Sequence, residues 1–529
     1  MQGGGMLVRS SDVTGRDMSR SDTDRNTRSR SVDVKIVGPA FFRKGTRWRI
    51  AFSAVLPLFL MLIAAFPLHS GSPGSAYYSA ENDRIFWFAI ISDIHIGAHG
   101  YSGSENLLWF LDEARDVINP LFIVNTGDLT DSTNWDTDIY PDGPHLEEWV
   151  QYKAIVDASG VTPDIYYDLP GNHDHYSDAN FDYYLAYSLQ GSATGQTQFS
   201  WREDLGFGTY HFLGVNTCGN DGAQFSLAPP YYGDNAGLDH VELTYINDEL
   251  VANSDADLTM IFGHHAIDTR SPDLRDWALR DAQEWTETAL RSGADEFVSL
   301  MESYDVLMYG YGHSHIYREE FFVRDMTMGT IYLNVGSLTK SDADHYSIVA
   351  IDCNGISTTS HTLGVWPAVI ITAPLDKNLG MKNNPYTTGV VDLSGDTAPV
   401  RALVFDKVPV TSVEYRMYQL LDSGGEFVQG GLGVISEFMK SQGMWQPMTQ
   451  VDAGHASYPY LWEADCPTPL TGGTYTLEVR ATGSTTQKDS IPTAFPSLPV
   501  DDNKNMWCFI TAASPHYKAE GLSGIGEGY

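Results

Sequence analysis

The chain has 529 residues, 42% hydrophobic and 12% aromatic, which is more than one core needs and excludes bulk disorder. Its formal net charge of −36 is unevenly spread: residues 1–49 hold 11 Lys+Arg against 5 Asp, and the remainder holds 21 basic against 63 acidic residues. So acidic a body repels polyanions, which argues against nucleic acid as a partner of the main domains.

Residues 1–49, rich in Ser, Arg, Asp and Gly with no apolar period, read as a disordered cytoplasmic tail. The basic stretch RKGTRWR (43–49) then precedes IAFSAVLPLFLMLIAAFPL (50–68), 19 residues without a charge. That run is long enough for one helical crossing, and its basic flank predicts a cytoplasmic N-terminus with the rest exported. A cleaved signal sequence is the competing reading, with small residues near 72–76 as the cleavage region; the length of the apolar run favours an uncleaved, single-pass anchor. Residues 69–84 read as a linker.

From 85 the pattern alternates. Strands are predicted at 85–91, 121–125, 165–168, 209–215, 258–263, 304–309, 331–335 and 347–351, and helices at about 104–118, 144–158, 239–253 and 279–302. This is α/β order over a domain of 85–362. Beyond it the texture changes to short strands with Gly/Pro turns, as in GGTYTLEVRATGSTTQKDSI (472–491). Residues 363–513 are therefore expected to form an all-β, immunoglobulin-like sandwich, with PLDKNLG (374–380) as the junction and 514–529 as a flexible end. The four cysteines, Cys218, Cys353, Cys466 and Cys508, include no CxxC pair, which excludes a zinc ribbon or a thioredoxin-type site.

The chemistry gathers where strands end. SDIHIG supplies Asp93 and His95, NTGDLTD supplies Asp128, LPGNHDH supplies Asn172, His173 and Asp174, GHHAI supplies His264 and His265, and GYGHSHIY supplies His313 and His315. In open α/β sheets, ligands bind beyond the carboxyl ends of the strands. Hard oxygens mixed with imidazoles suit Mn, Fe, Zn or Co better than Ca. Two Asp, one Asn and four or more of these His, at least seven donors, exceed what one ion with an open position takes and match two ions sharing a carboxylate.

In order and spacing these motifs resemble the calcineurin-like metallophosphoesterases, whose pattern is D-x-H, GD, GNH[DE], H and GHxH. The resemblance covers about 85–362 and implies a two-sheet β-sandwich flanked by helices. It implies two divalent or trivalent cations, with Asp93, His95 and His315 on one, Asn172, His264 and His313 on the other, and Asp128 bridging. His264 is preferred to His265 because neighbouring strand residues point oppositely. The resemblance also implies that His173 touches the substrate phosphate and protonates the leaving oxygen, with Asp174 holding its imidazole and raising its pKa. The expected activity is hydrolysis of a phosphate ester, mono- or diester, by a metal-bound hydroxide. Where purple acid phosphatases carry a metal-binding tyrosine, this chain has Asp131, which places it nearer the phosphodiesterase-like branch. Candidate specificity loops are 130–146 (with Trp135, Tyr140 and His145), 217–238 and 266–282 (with Arg270 and Arg275). The apolar segment and trailing sandwich are similar to transmembrane metallophosphoesterases with an Ig-like domain, whose protein or glycan partner the sequence leaves open. Two rival readings are a metal-stabilised cell-surface binding protein acting through its sandwich and a nuclease of the same superfamily.

Overall fold

The computed structural model describes residues 84–133, 143–176, 178–218, 236–267, 289–290, 292–322, 329–340, 344–379, 397–419, 443–455, 457–467 and 473–495. The basic tail, the segment 50–68, the end 514–529, and Trp135, Tyr140, Arg270, Arg275, Trp507 and Cys508 lie outside those residues. Among the described residues no helix is long and apolar enough to cross a membrane.

β1 (Ile85–Ile91) leads into α1, which runs Gly103–Trp109, continues through a π-helical turn at Phe110–Ala114, and ends at Arg115–Ile118. Next come β2 (Ile123–Asn125), α2 (Leu146–Ser159), β3 (Tyr166–Asp168) and three short helices, α3 (Asn172–His175), α4 (Asp182–Tyr187) and α5 (Leu189–Thr194). A hairpin of β4 (Phe199–Leu205) and β5 (Gly208–Gly214) precedes α6 (His240–Ala252) and β6 (Leu258–Phe262). A short pair, β7 (Ala266–Ile267) and β8 (Ala289–Leu290), precedes α7 (Ala294–Ser303) and β9 (Met308–Tyr311). β10 (Tyr317–Phe322), β11 (Thr330–Val335), β12 (His345–Asp352) and β13 (Gly355–Thr362) complete the region. The hairpin partners β4, β10 and β13 were not among the predicted strands; polar residues in WREDL and GISTTSHT mask their extended character in sequence.

The strands form two sheets, ordered β13-β12-β1-β2-β3 and β10-β11-β9-β6-β5-β4. Strand–helix alternation alone does not separate one sheet from two, and this is the two-layer arrangement expected from the resemblance. Aromatic rings fill the space between the layers: Phe88 stacks on Phe122 at 4.7 Å between centroids, Phe122 meets Phe212 at 4.7 Å, and Phe88 meets Phe262 at 6.0 Å. All seven residues of β1 are buried, as a central strand covered on both faces requires.

The parallel register brings the motif loops together. Ile91 pairs with Asn125 and Asn125 with Asp168, so β1, β2 and β3 end level with one another. In the other sheet Phe262 pairs with Gly310. Asp93, Asp128, Asn172, His264 and His313 therefore all leave their strands at one edge of the molecule.

The later region is all β. β14 (Ala368–Ala373), β15 (Thr397–Phe405), β16 (Ser412–Gln419), β17 (Gln446–Pro447), β18 (Thr449–Gln450), β19 (Leu461–Pro467), β20 (Gly473–Thr482) and β21 (Thr486–Phe495) form two four-stranded sheets, β14-β15-β19-β18 and β17-β16-β20-β21. β14 precedes PLDKNLG, so that stretch lies within this region and is not its boundary. Trp462 is buried in the core between the sheets, whereas Trp445 is half-buried with the guanidinium groups of Arg416 and Arg480 over its ring, at 4.6 and 4.1 Å.

β14 and β15 are buried on both faces. Val369 and Ile371, with Val400, Ala402 and Val404, face the core between these two sheets. The alternate residues Ala368, Ile370, Leu403 and Phe405 join the core of the first region. A period of two with both faces apolar produces the uninterrupted runs AVIITA and ALVF. Across this boundary Trp87 meets Phe405 at 5.6 Å and Tyr460 at 5.4 Å, and the buried Asp352 carboxylate pairs with Arg401 at 3.3 Å and accepts from the Thr372 hydroxyl at 2.8 Å. The three described cysteines, Cys218, Cys353 and Cys466, are buried thiols.

Candidate dinuclear metal centre

All seven expected ligands converge, and Asp128 stands at their middle. Its Oδ2 lies 3.5 Å from His95 Nε2 and 3.3 Å from His264 Nε2. On one side Asp93 Oδ1 is 3.4 Å from His315 Nε2, which faces His95 Nε2 at 3.3 Å. On the other, His264 Nε2 is 2.9 Å from Asn172 Oδ1 and 3.2 Å from His313 Nδ1. A single oxygen of Asp128 thus serves both groups, while its Oδ1 accepts the His173 backbone N–H at 3.0 Å.

The backbone is bent to achieve this. Asp93, His95, Asp128, His313 and His315 all have left-handed φ, between 50° and 68°. Asp and His tolerate that region better than most residues, at a cost of order 1–3 kcal/mol each, and such strain clusters at functional sites. Main-chain bonds hold it in place: the Asp128 carbonyl accepts from Ile94 and His95 at 2.9 and 3.0 Å, and both Asp93 carboxylate oxygens face the His313 N–H. The glycines of the motifs allow close approach. A Cβ on Gly171 would sit 2.2 Å from Asp128 Oδ1, and one on Gly312 would sit 1.8 Å from Ser92 Oγ and 2.6 Å from Asp93 Oδ2. Gly171→Ala must therefore displace the Asp128 carboxylate. Calorimetric titration with Mn(II) is expected to read a loss of about tenfold or more in affinity, the usual scale for disturbing the surroundings of a ligand.

The electrostatics fit cations. Burial pushes the Asp93 carboxyl up, but His315 and its neighbours outweigh this and hold it down at about 2. Asp128, against the same opposition from burial, is held well below the carboxylate range by His264 and His173. Burial pulls His95 and His313 down to about 3. His264, despite burial, is lifted to about 9 by Asp128, and His315 is lifted by Asp93. In each facing pair of imidazoles, His95 with His315 and His264 with His313, burial draws one ring's pKa down while a carboxylate lifts the other's. Two ring lone pairs at 3.2–3.3 Å need a positive centre between them, and a cation supplies it in place of a proton. Nitrogen and oxygen donors with two carboxylates make a suitable donor set for Mn, Fe, Zn or Co.

Two expectations about the GNHD stretch are corrected. Asp174 does not hold the His173 imidazole. Its carboxylate instead accepts the backbone N–H groups of Leu129 and Thr130 at 3.0 Å and of Gly171 at 2.9 Å, together with the Thr130 hydroxyl at 3.1 Å. It ties the GD loop to the GNH loop, and burial with the nearby Asp128 charge raises its pKa to about 7. Nor is the His173 pKa raised: burial lowers it, and Asp128 offsets this only in part. His173 Nδ1 donates instead to the main-chain carbonyl of Asp131. His175, next in the chain, is buried against Phe181 with a ring distance of 4.4 Å.

Sequence reasoning noted Asp131 only as the replacement of a tyrosine. Its carboxylate lies 3.1 Å from His95 Nδ1 and bonds Lys340 Nζ. It thereby orients His95 so that Nε2 faces the centre, while its carbonyl orients His173. An acidic residue three positions after GD is a signal too short to weigh by itself, and Lys340 lies in a segment without a motif. The argument that only one of His264 and His265 can face inward also fails. β6 ends at Phe262, so the two histidines lie in a bend without strand alternation, and both rings are buried, 4.9 Å apart. Of the candidate specificity residues, His145 is described and stands at the N-terminus of α2.

Comparison with known proteins agrees with this geometry. Residues 86–317 match the family model described as calcineurin-like phosphoesterase. The chain is 26% identical over 417 residues to transmembrane protein 62 of Mus musculus, covering 77% of this chain and 54% of that protein. It is 30% identical over 155 residues to an Arabidopsis thaliana protein named provisionally as a metallophosphoesterase, covering 27% of this chain and 20% of that one. It thus spans about half the length of the mouse relative and about a fifth of the plant one. Among solved structures, purple acid phosphatase PPD1 from yellow lupin (Lupinus luteus) overlaps at a TM-score of 0.34 and 12% identity, over 53% of this chain and 52% of that chain.

Proposed function

We propose, from the membership of residues 86–317 in the calcineurin-like phosphoesterase family, that this chain hydrolyses phosphate esters at a centre of two cations. The observation that carries the reading is the position of Asp128 Oδ2, within 3.5 Å of imidazole nitrogens from both ligand groups. Asp93, His95 and His315 would hold one cation and Asn172, His264 and His313 the other, with Asp128 shared. When bound, such a pair supplies Lewis acidity and neutralises charge on the phosphoryl group.

The chain's own residues contribute orientation and proton transfer. His173 commits its Nδ1 proton to the Asp131 carbonyl, which leaves Nε2, 3.9 Å from Asp128 Oδ2, as the atom that exchanges a proton with the leaving oxygen. A bound phosphoryl anion beside the ring favours the protonated form and opposes the effect of burial. Asp174 acts through the backbone by fixing the two loops that carry Asp128 and His173.

Elemental analysis of the purified chain, with turnover of p-nitrophenyl phosphate, bis-p-nitrophenyl phosphate, cyclic nucleotides and lipid diphosphates, tests the proposal. Two equivalents of metal with hydrolysis of at least one substrate is expected; absence of both defeats it. His173→Ala is expected to keep its metal and lose about 10²–10⁴-fold in turnover, the range for general acid catalysis, with the larger loss for poor leaving groups. Unchanged turnover of a poor substrate would remove His173 from this role. We also propose that residues 50–68 anchor the chain with the hydrolytic domain outside the cytoplasm, supported by the uncharged run and its basic flank. Protease accessibility of residues 85–362 in intact cells, with the tail protected, checks that orientation.

A further inference from the structure

We infer that His265 is a hydrogen-bond donor built into the half of the centre formed by His264 and His313, where it holds a phosphoryl oxygen of the substrate. The inference rests on the phosphoesterase reading above and adds a substrate-binding residue to it.

The argument begins with the Thr217 hydroxyl. Its oxygen accepts two backbone N–H groups, those of His264 and His265, each at 3.2 Å. A hydroxyl oxygen has two lone pairs and one proton. With both lone pairs occupied, Thr217 has only its proton left to offer, and the remaining partner is His265 Nδ1 at 2.9 Å. Nδ1 is therefore an acceptor, and the ring proton resides on Nε2. The backbone is fixed as well, since the His265 carbonyl accepts the Tyr309 hydroxyl at 2.7 Å. Amide, carbonyl and ring are all held, so the imidazole is preorganised.

The Nε2–H has no partner among the described residues, although His265 is 1% exposed. An unpaired buried donor is destabilising and calls for a ligand that accepts from it. The ring lies 4.6 Å from that of His313 and 4.9 Å from that of His264, and one ring nitrogen from each of the three falls within 4.8 Å of the others. Three clustered imidazoles would ordinarily read as a ligand set. The tautomer decides otherwise, because a protonated nitrogen has no lone pair to give a cation. What suits an N–H donor beside a cation position is an anionic oxygen bound there, and a tetrahedral phosphoryl group provides one.

The test compares full-length wild type with His265→Leu and His265→Gln, each loaded with Co(II), using calorimetric binding of inorganic phosphate as the probe. All three are expected to bind two equivalents of Co(II) with the same visible absorption. His265→Leu is expected to bind phosphate about tenfold or more weakly, the scale of one hydrogen bond to a charged group, and His265→Gln, which keeps an N–H, to recover most of that loss. If His265→Leu does not fold, His265→Phe supplies the ring volume without a donor. In the unaltered protein labelled with ¹⁵N-histidine, phosphate should shift the His265 Nε2–H resonance. Wild-type affinity in the Leu or Phe variant, or no shift of that resonance, overturns the inference. A changed Co(II) spectrum or stoichiometry makes His265 a ligand and overturns it as well. Wild type that binds neither Co(II) nor phosphate fails the phosphoesterase reading instead, so the two failures are distinguishable.

Discussion

Asparagine in place of Asp128 is expected to remove metal and turnover together. The side chain occupies the one position from which an oxygen reaches both ligand groups, 3.5 Å from His95 Nε2 and 3.3 Å from His264 Nε2. Its other oxygen accepts the His173 N–H. Asparagine has one oxygen and one NH₂ for these two tasks. If the oxygen faces the imidazoles, the NH₂ meets the His173 N–H; if it faces His173, the NH₂ meets the centre. The Asp128 charge that lifts the His264 pKa, and that would attract both cations, is lost in either case. Metal content after gel filtration should fall from two equivalents to less than one. Turnover should fall by at least ~10²–10³, the scale of removing one preorganised electrostatic group from a closed site. Two retained ions with turnover near wild type would mean that Asp128 does not bridge.

Removal of everything after residue 362 is expected to prevent the first region from folding, even though every site residue lies before that point. Leu403, Phe405, Ala368 and Ile370 are part of the same core as Trp87 and Ile118. Truncation would expose Trp87 and leave the fully buried Asp352 carboxylate without Arg401 and Thr372. An unpaired buried charge destabilises by about 3–5 kcal/mol, a large share of the roughly 5–15 kcal/mol that holds a domain folded. The fragment 84–362 should be insoluble or lack a cooperative thermal transition by circular dichroism. The milder Phe405→Ala should leave a folded protein destabilised by about 3–5 kcal/mol, with its midpoint lowered by roughly 2–4 °C per kcal/mol. A soluble, cooperatively melting fragment would show that the two regions fold independently.

The strands that carry the site were legible because they are apolar runs ending in Asp, Asn or His beside Gly. Their partners β4, β10 and β13 were not, because strands rich in polar residues lose the alternation that marks them. The contact between the regions left a trace in AVIITA and ALVF, strands with no polar face. That trace says both faces are covered without saying by what.

By itself the sequence determined the donors: Asp93, His95, Asp128, Asn172, His264, His313 and His315 are named by short spacings, and spacing within a loop is a local property of the chain. Which partner each side chain takes is not local. Asp174 spends its oxygens on Leu129, Thr130 and Gly171, Asp131 orients both His95 and His173, and Thr217 sets the tautomer of His265. Those choices depend on loops from different strands meeting at distances near 3 Å. Hydrogen bonds discriminate at that range and residue order does not, so only the tertiary structure could decide them.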